Sequence, residues 1–349
     1  MLRADYFIGI DLHKNVVQVC VLDAAGSVVE EWRLRFTTPE EGQTVIERLS
    51  QWRQTGRLVV EAIGLNRWFV NACRTAGLAL LVADPTKLGL KTLGRKTDRR
   101  DAYELARRLY LGDIERNATT YFAPDAEFGD RKLLRVRHKL VSIRQQVINQ
   151  IRSLLNAYLV PSPGASLYAA RPLAQLKAIE LPTASLTLCL HTLAATLEAV
   201  QAQIAQLTDA IRARAKAPVV HELEQHLPSV GPQTALTLHA ELGDLRRFRS
   251  AKEVAAYVGL TPRVRNSADT RHHGPVTKRG NQEVRWIVSQ WAVRLLTRNV
   301  EVRQWARSRL RRMHMNKVRI TLARRLVVGL YASRNRGEAF SLTRCLACA

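Results

Sequence analysis

The 349-residue sequence predicts an α/β domain at the N-terminus, a long helical coiled-coil linker, and a mainly α C-terminal domain containing a helix-hairpin-helix-like element. Three observations carry that reading. Short apolar runs of strand length alternate with helical patterns over the first ~125 residues. Glycine nearly vanishes between Asp130 and Lys216, where apolar residues recur at steps of three and four. Beyond Lys216, two further helical patterns flank a hairpin containing Pro and Gly. The domain boundaries so predicted are 1–125, 126–216 and 217–349.

In the first domain, Tyr6–Asp11, Val16–Asp23 and Ser27–Phe36 read as three strands joined by short turns, including Ala25-Gly26. A helix at Pro39–Gln54 follows, then a strand in "RLVVEAIG", a helix over Arg67–Ala76, a strand in "LALLVADP" and helical material from Thr86 to Leu111. An antiparallel meander followed by crossover units predicts a mixed sheet with helices on its faces. The order βββαβαβα is that of RNase H-like nuclease folds, although fold alone proves no chemistry.

In the linker, Leu133, Val136, Leu140, Ile143, Val147, Ile151 and Leu154 form one apolar stripe. A second stripe, "LHTLAATLEAVQAQIAQLTDAI", follows the break "VPSPGAS", so the two helices are expected to pair as a coiled-coil hairpin for spacing or dimerisation. In "HLPSVGPQTALTLHAEL" a helix ends near Pro228, a tight hairpin spans Ser229–Pro232, and a second helix starts at Gln233. Exposed N–H groups at such a helix start can hold a phosphate. Ser229 stands where the first hairpin glycine is usual, and a plain αα-hairpin is the alternative.

Lys plus Arg outnumber Asp plus Glu by 54 to 30, a formal charge of +24 with a pI near 10.7. So basic a folded chain calls for a polyanion, and nucleic acid leads because neutralised phosphates release counterions. An anionic membrane surface is the alternative. No segment approaches the ~18 apolar residues of a span, and Asp5 and Asp11 come too early for a signal peptide, so a cytoplasmic protein is expected. The run Trp305–Leu326 carries Arg307, Arg309, Arg311, Arg312, Lys317, Arg319, Arg324 and Arg325 with no acid between them, and is assigned to phosphate contact. Of the five cysteines, only Cys345 and Cys348 in "CLAC" have metal-like spacing, and two ligands of four favour a frayed tail over a zinc site.

The stretch "KTDRRDAYELARRL" sets Asp98 and Asp101 three residues apart among cations. Alone, Asp98 reads as a helix N-cap and Asp101 as the N3 residue. The same spacing puts both carboxylates on one helix face, where a divalent ion would need further oxygen ligands. Asp11, on the first strand in phase with Phe7 and Gly9, and Glu61, at the end of the fourth strand, can supply them. Each has a plainer reading, Asp11 as a strand-end turn residue and Glu61 as a helix-dipole partner. Four acids in fold order instead favour Mg²⁺, or Mn²⁺, held for phosphodiester chemistry, with Lys96, Arg99 and Arg100 placed for phosphates.

"GIDLHK", "VVEAIG" and "KTDRRDA" resemble the D, E and D-x-x-D motifs of the IS one-ten family of insertion-sequence transposases, which includes Piv-type DNA invertases. "LPSVGPQTALTLHAELGDLRRF" and "YVGLTPRVRNSADTRHHGPVTKRGN" resemble the signature of that family's second domain, so the likeness covers nearly the whole chain. The resemblance implies a RuvC-like N-terminal domain with Asp11, Glu61, Asp98 and Asp101 as metal ligands. It also implies a nucleophilic serine, here Ser267, that attacks DNA to form a covalent phosphoserine. Glycines usually follow that serine, whereas Ala268 and Asp269 stand here. Arg263, Arg265, Arg271, Lys278 and Arg279 surround it in sequence and can bind phosphates, and His272 and His273 are nearby proton carriers.

The family further implies homo-oligomers, dimer or tetramer, with a site shared between protomers, a bacterial nucleoid-associated location, and in some members a structured bridge RNA as guide. The expected activity is therefore a Mg²⁺-dependent DNA recombinase. A RuvC-like structure-selective nuclease using the acids without the serine is the first rival, and a non-catalytic nucleic-acid binder the second.

Overall fold

The structure, a computed structural model, describes residues 5–64, 66–88, 97–267, 270–276 and 279–347, with backbone alone for the strand segments between 262 and 276. The chain divides into two compact units, Met1–Phe122 and Ala123–Ala349.

The first unit runs β1 (Tyr6–Leu12), β2 (Val16–Leu22), β3 (Val28–Arg35), α1 (Pro39–Ser50), β4 (Gly56–Glu61), α2 (Arg67–Thr75), β5 (Leu80–Ala83), α3 (Pro85–Leu88) and α4 (Asp98–Tyr110). Its sheet has the order β3-β2-β1-β4-β5, with β1 to β3 antiparallel and β4 and β5 parallel to β1. β1 is therefore central, and its alternate residues face two different cores. Ile8, Ile10 and Leu12 join Val45, Ile46 and Leu49 of α1 and Phe69, Val70 and Cys73 of α2. Phe7 and Gly9 lie on the opposite side, with Cys20 and Leu22 of β2 and Val59 of β4, against Ala102, Leu105, Ala106 and Leu109 of α4.

Local chemistry sets the helix ends. Thr38 caps α1, accepting from the Glu41 N–H while the Glu41 carboxylate accepts from the Thr38 N–H. The helix stops at Ser50 rather than Gln54, because Trp52 and Arg53 turn back onto the carbonyls of Leu49 and Ser50. Gly56 then enters the sheet where a Cβ would meet Ile8 Cδ1 at 2.6 Å. In α4 the cap is Thr97, whose hydroxyl accepts from the Arg100 N–H, so Asp98 is the first helical residue and not the N-cap expected. The cap being filled, both aspartates are left to face the sheet.

The second unit contains α5 (Asp125–Ala157), α6 (Ala170–Ala178), α7 (Ala184–Ala215), α8 (Pro218–His226), α9 (Pro232–Leu242), α10 (Ala251–Val258), β6 (Pro262–Ser267), β7 (Thr270–Val276), α11 (Gln282–Arg298), α12 (Val300–Leu310), α13 (Met315–Arg336) and α14 (Leu342–Ala347). Its core is built from α9, α11 and α13 around Trp291, whose indole N–H donates to the Pro228 carbonyl at 2.7 Å. α5 and α7 pair antiparallel, but their seam is not apolar throughout. Leu134, Ile211 and Ala215 belong to the C-terminal core, and Val147, Ile148, Ile151 and Leu155 form a separate cluster with Leu190, Ala194 and Leu197. Between them Val200 and Ile204 of α7 are buried, and polar bonds join the helices as well, Arg137 to Thr208 at 2.8 Å and Arg144 to Gln201 at 2.8 Å. Val136, expected on the stripe, is exposed.

Within this mainly helical unit β6 and β7 pair antiparallel. One further expectation changes. Cys345 is buried on α14, where a Cβ on Gly329 of α13 would meet its Sγ at 2.2 Å, so this part of the tail is docked and not frayed. Cys348 lies outside the described residues. Among the described residues no helix is long and apolar enough to cross a membrane.

A Cβ on Gly9 would lie 2.0 Å from the Ala102 carbonyl oxygen and 2.4 Å from the Ala106 nitrogen, both backbone atoms that cannot swing away. Gly9→Ala is expected to push α4 off β1 and to destabilise the fold by about 3 kcal/mol, measured by denaturant unfolding.

Candidate functional site

β1 delivers Asp11 on the face that α4 covers, two residues beyond Gly9. The step from Gly9 to Asp11 is about 6.6 Å, and the turn of α4 from Ala102 back to Asp98 is about 6 Å, so contact at Gly9 sets Asp98 opposite Asp11. The neighbouring strands are held in register. Asp11 pairs with Gln18 of β2, and Gln18 with Arg33 of β3. Glu61 follows Val60, the partner of Ile10, and its carbonyl accepts from the buried Asn66 amide at 2.6 Å, which fixes the end of β4 beside the end of β1.

His13 continues the alternation of β1 and rises on the same side as Asp11. Its Nε2 lies 3.2 Å from Asp11 Oδ2 and 3.4 Å from Asp98 Oδ1. Arg33 reaches the other Asp98 oxygen at 3.2 Å, and Arg99 reaches Glu31 at 2.5 Å, so two ion pairs fasten the first turn of α4 to β3. Both pairs are largely exposed to solvent, which weakens them; the buried apolar face of α4 does most of the holding.

Asp11 is only 9% exposed. Burial raises its carboxyl above the ordinary 3.8, the charges of Asp101 and Asp98 add to the rise, and His13 opposes it. Among the described residues, the ligating atoms of Asp11, His13 and Asp98 lie within 4.8 Å of one another. Two hard carboxylate oxygens and an imidazole nitrogen fit a divalent cation. One imidazole nitrogen facing two carboxylates also cannot satisfy both with a single N–H, so the cluster is short of positive charge.

Four acids were expected to converge. Asp11 and Asp98 do, Asp101 is close enough to act on Asp11 through its charge, and Glu61 ends the adjacent strand outside the close trio. His13 was not anticipated, although in "GIDLHK" the period of two already puts it on the side of Asp11.

The basic candidates fall into three places. Arg100 is exposed in the first turn of α4, beside the ion-paired Arg99, and Lys96 lies outside the described residues. Ser267 pairs with Thr270 at the far end of the β6–β7 ladder, and Asn266 with Arg271. The side chains of Ser267, Arg263, Arg265 and Arg271, and the whole of Lys278, lie outside the described residues, whereas Arg279 is exposed just after the hairpin. At the α12–α13 junction Arg311, Arg312 and Lys317 are exposed and Arg319 is half-buried.

Residues 8–160 match a DEDD transposase family model of the IS110 type, and residues 221–311 match the model described as Transposase IS116/IS110/IS902 family. The transposase for insertion sequence element IS1111A of Coxiella burnetii is 28% identical over 344 residues, 95% of this chain and 90% of that protein. A probable family 20 transposase of Pseudomonas aeruginosa is 24% identical over 343 residues, 95% of this chain and 98% of the relative. A putative transposase y4qE of Sinorhizobium fredii is 26% identical over 299 residues, 83% of this chain and 72% of the relative.

Because the Asp11 carboxyl is raised, the folded protein binds a proton that the unfolded chain has released, and stability without cation falls as pH climbs from 3.8 through the raised value. In chelator near neutral pH, Asp11→Asn should raise the melting temperature, a gain that disappears in acid. Added Mg²⁺ should raise the melting temperature of the parent and not of this variant, and the parent's gain should shrink as pH falls through the raised value.

Proposed function

The chain belongs to the IS116/IS110/IS902 family of insertion-sequence transposases, and from that premise we propose that it exchanges DNA strands by serine chemistry assisted by a divalent cation. The observation that carries the proposal is the Asp11–His13–Asp98 cluster at the end of the central strand, in a chain whose two matched regions belong to one kind of transposase. The strand order β3-β2-β1-β4-β5, with acids on β1, β4 and the helix covering them, supports a RuvC-like N-terminal unit.

Asp11, Glu61, Asp98 and Asp101 would hold the cation, Mg²⁺ or Mn²⁺, with His13 beside them. When bound it supplies Lewis-acid polarisation of phosphate oxygens and neutralises charge built up during transfer. The chain's own contribution begins with orientation: β1 and α4 fix Asp11 and Asp98 face to face, and Asn66 fixes the end of β4 under Glu61. His13 Nε2 sits between the two aspartates and damps their repulsion. Arg33 holds the outer Asp98 oxygen, leaving the inner one toward the cluster.

Ser267 is assigned the nucleophile. Its Oγ forms a bond to phosphorus as the bond from phosphorus to the deoxyribose oxygen breaks; the serine proton is lost and the departing oxygen gains one. One phosphoester replaces another, so the bond energy is kept and rejoining needs no nucleotide cofactor. Attack by water would discard the energy of the bond cut. Arg263, Arg265, Arg271, Lys278 and Arg279 would hold phosphates around the serine, and Arg100, Arg311, Arg312, Lys317 and Arg319 would hold nucleic acid farther away, with Lys96 and Arg99 beside the acids. A structured noncoding RNA as guide and a dimer or tetramer as working form complete the proposal, supported by the motif resemblance and by a +24 charge spread over several basic segments.

Incubation with DNA carrying the ends of the encoding element and Mg²⁺ should yield a covalent protein–DNA adduct that peptide mapping locates at Ser267. Ser267→Ala should bind that DNA with parental affinity and form no adduct. Normal cutting and rejoining by the alanine variant would leave the nuclease-type acids as the whole machinery and end the serine proposal.

A further inference from the structure

Among the described residues, Glu241 of α9 is the most completely buried charged residue of the second unit, and the chemistry above does not use it. Arg135 of α5 grips its carboxylate with two parallel bonds, Nε to Oε1 and Nη2 to Oε2, both 2.9 Å, and Arg131 Nε stands 3.8 Å away. Asn281 Nδ2 donates to Oε2 at 2.7 Å, and the Tyr257 hydroxyl donates to the Glu241 carbonyl at 3.0 Å. A buried ion pair of this kind is a weak source of stability, since an apolar residue of similar size often does as well. What Glu241 provides is connection: α5 and the start of α11 meet at its carboxylate, and α10 at its backbone carbonyl.

That carboxylate lies at the root of the β6–β7 hairpin. The chain enters the hairpin past Gly259, at φ 75°, and leaves it through Gly280, at φ 113°. A Cβ on Gly259 would meet the Arg279 carbonyl at 2.2 Å, and one on Gly280 the Tyr257 carbonyl at 2.4 Å, so the two legs are pressed backbone to backbone. The next residue, Asn281, donates its backbone N–H to the Tyr257 carbonyl at 2.7 Å and caps α11 by accepting from the Val284 N–H at 3.1 Å. Its remaining amide group goes to Glu241. The exit leg is thereby oriented by Glu241, and Glu241 by α5.

We propose that Glu241 is a positioning residue: it sets the angle of the β6–β7 hairpin, hence the place of Ser267 at its far end, and ties that angle to helix α5. The inference rests on the serine reading above. Leverage makes it consequential. Six residues of strand span roughly 20 Å, so a tilt of about 3° at the root moves the far end by about 1 Å. A displacement of that size costs on the order of 10²-fold in rate when a nucleophile must be aligned.

The test uses the full chain, Mg²⁺ and DNA carrying the element ends, and follows adduct rate, DNA affinity and melting temperature together. Asn281→Ser keeps the helix cap, because serine caps as well as asparagine, but loses the bond to Glu241. Arg135→Gln leaves Asn281 in place and removes the bidentate grip of α5 on the carboxylate, with Arg131 still 3.8 Å away, and its melting temperature is read beside its rate. Both should slow adduct formation on the order of 10- to 10²-fold at unchanged DNA affinity, and Glu241→Gln, which can still accept from Asn281, should retain more rate than Glu241→Ala. Leu322→Ala, a core truncation on α13 matched in melting temperature, should keep the parental rate once folded. If adduct rate follows melting temperature alike in all the variants, Glu241 is merely structural and the inference fails. If the parent forms no adduct at Ser267, the serine reading fails and takes this inference with it; a normal adduct in the parent with undiminished rates in Asn281→Ser and Arg135→Gln overturns the inference alone.

Discussion

At Gly9, where β1 passes beneath α4, the strand offers no side chain to hold the two backbones apart, and the acidic site depends on that contact. Ordinary helix–sheet packing would hold the two backbones a side chain apart and lift the first turn of α4 off the sheet. At Gly9 the helix backbone comes down to the strand, with the small Ala102 and Ala106 beneath it. Because one helical turn nearly equals two strand residues in length, the same contact that closes the core aligns Asp98 with Asp11. Apolar burial behind the site supplies the energy, and the polar groups in front inherit the geometry.

Much of this was legible in the sequence because it rests on period and order. Alternation in "YFIGID" fixes which side Asp11 takes, and the three-residue spacing fixes that Asp98 and Asp101 share a face. What was not legible depends on partners distant in the chain. Asp98 looks like a cap until Thr97 is seen to fill that role, and no local rule ranks the two. His13 was hidden by its neighbour: beside a conspicuous aspartate, a strand-end histidine reads as a turn residue until α4 brings Asp98 to its other side.

The second unit shows the same limit. Val136 fits the helical stripe as well as Val147 does, yet it is exposed, and between the two apolar clusters Arg137 and Arg144 reach across to α7 on either side of the buried Ile204. Cys345 has no visible reason to be buried except that Gly329, some sixteen positions earlier, leaves room for its sulfur. Ser229 stands where a glycine was expected and does adopt the left-handed conformation, at φ 59°; its carbonyl is held by Arg294 and that of Pro228 by Trp291, so the turn keeps its shape despite the strain.

Asp11 and Glu241 are both buried carboxylates, and their surroundings separate two uses of the same group. Around Glu241 the chain itself provides the compensation: a bidentate guanidinium, a second arginine close by and an amide. Nothing further is needed, and the group orients the structure around it. Around Asp11 burial itself raises the carboxyl above its ordinary value, the charges of Asp101 and Asp98 add to the rise, and one imidazole shared between two carboxylates opposes it. A fold that can neutralise a buried acid with arginine, and does so elsewhere in a chain holding 54 lysines and arginines, leaves this one short of charge. In the proposed function that deficit is met by a divalent cation, which would bring positive charge to the place where the phosphodiester is to react.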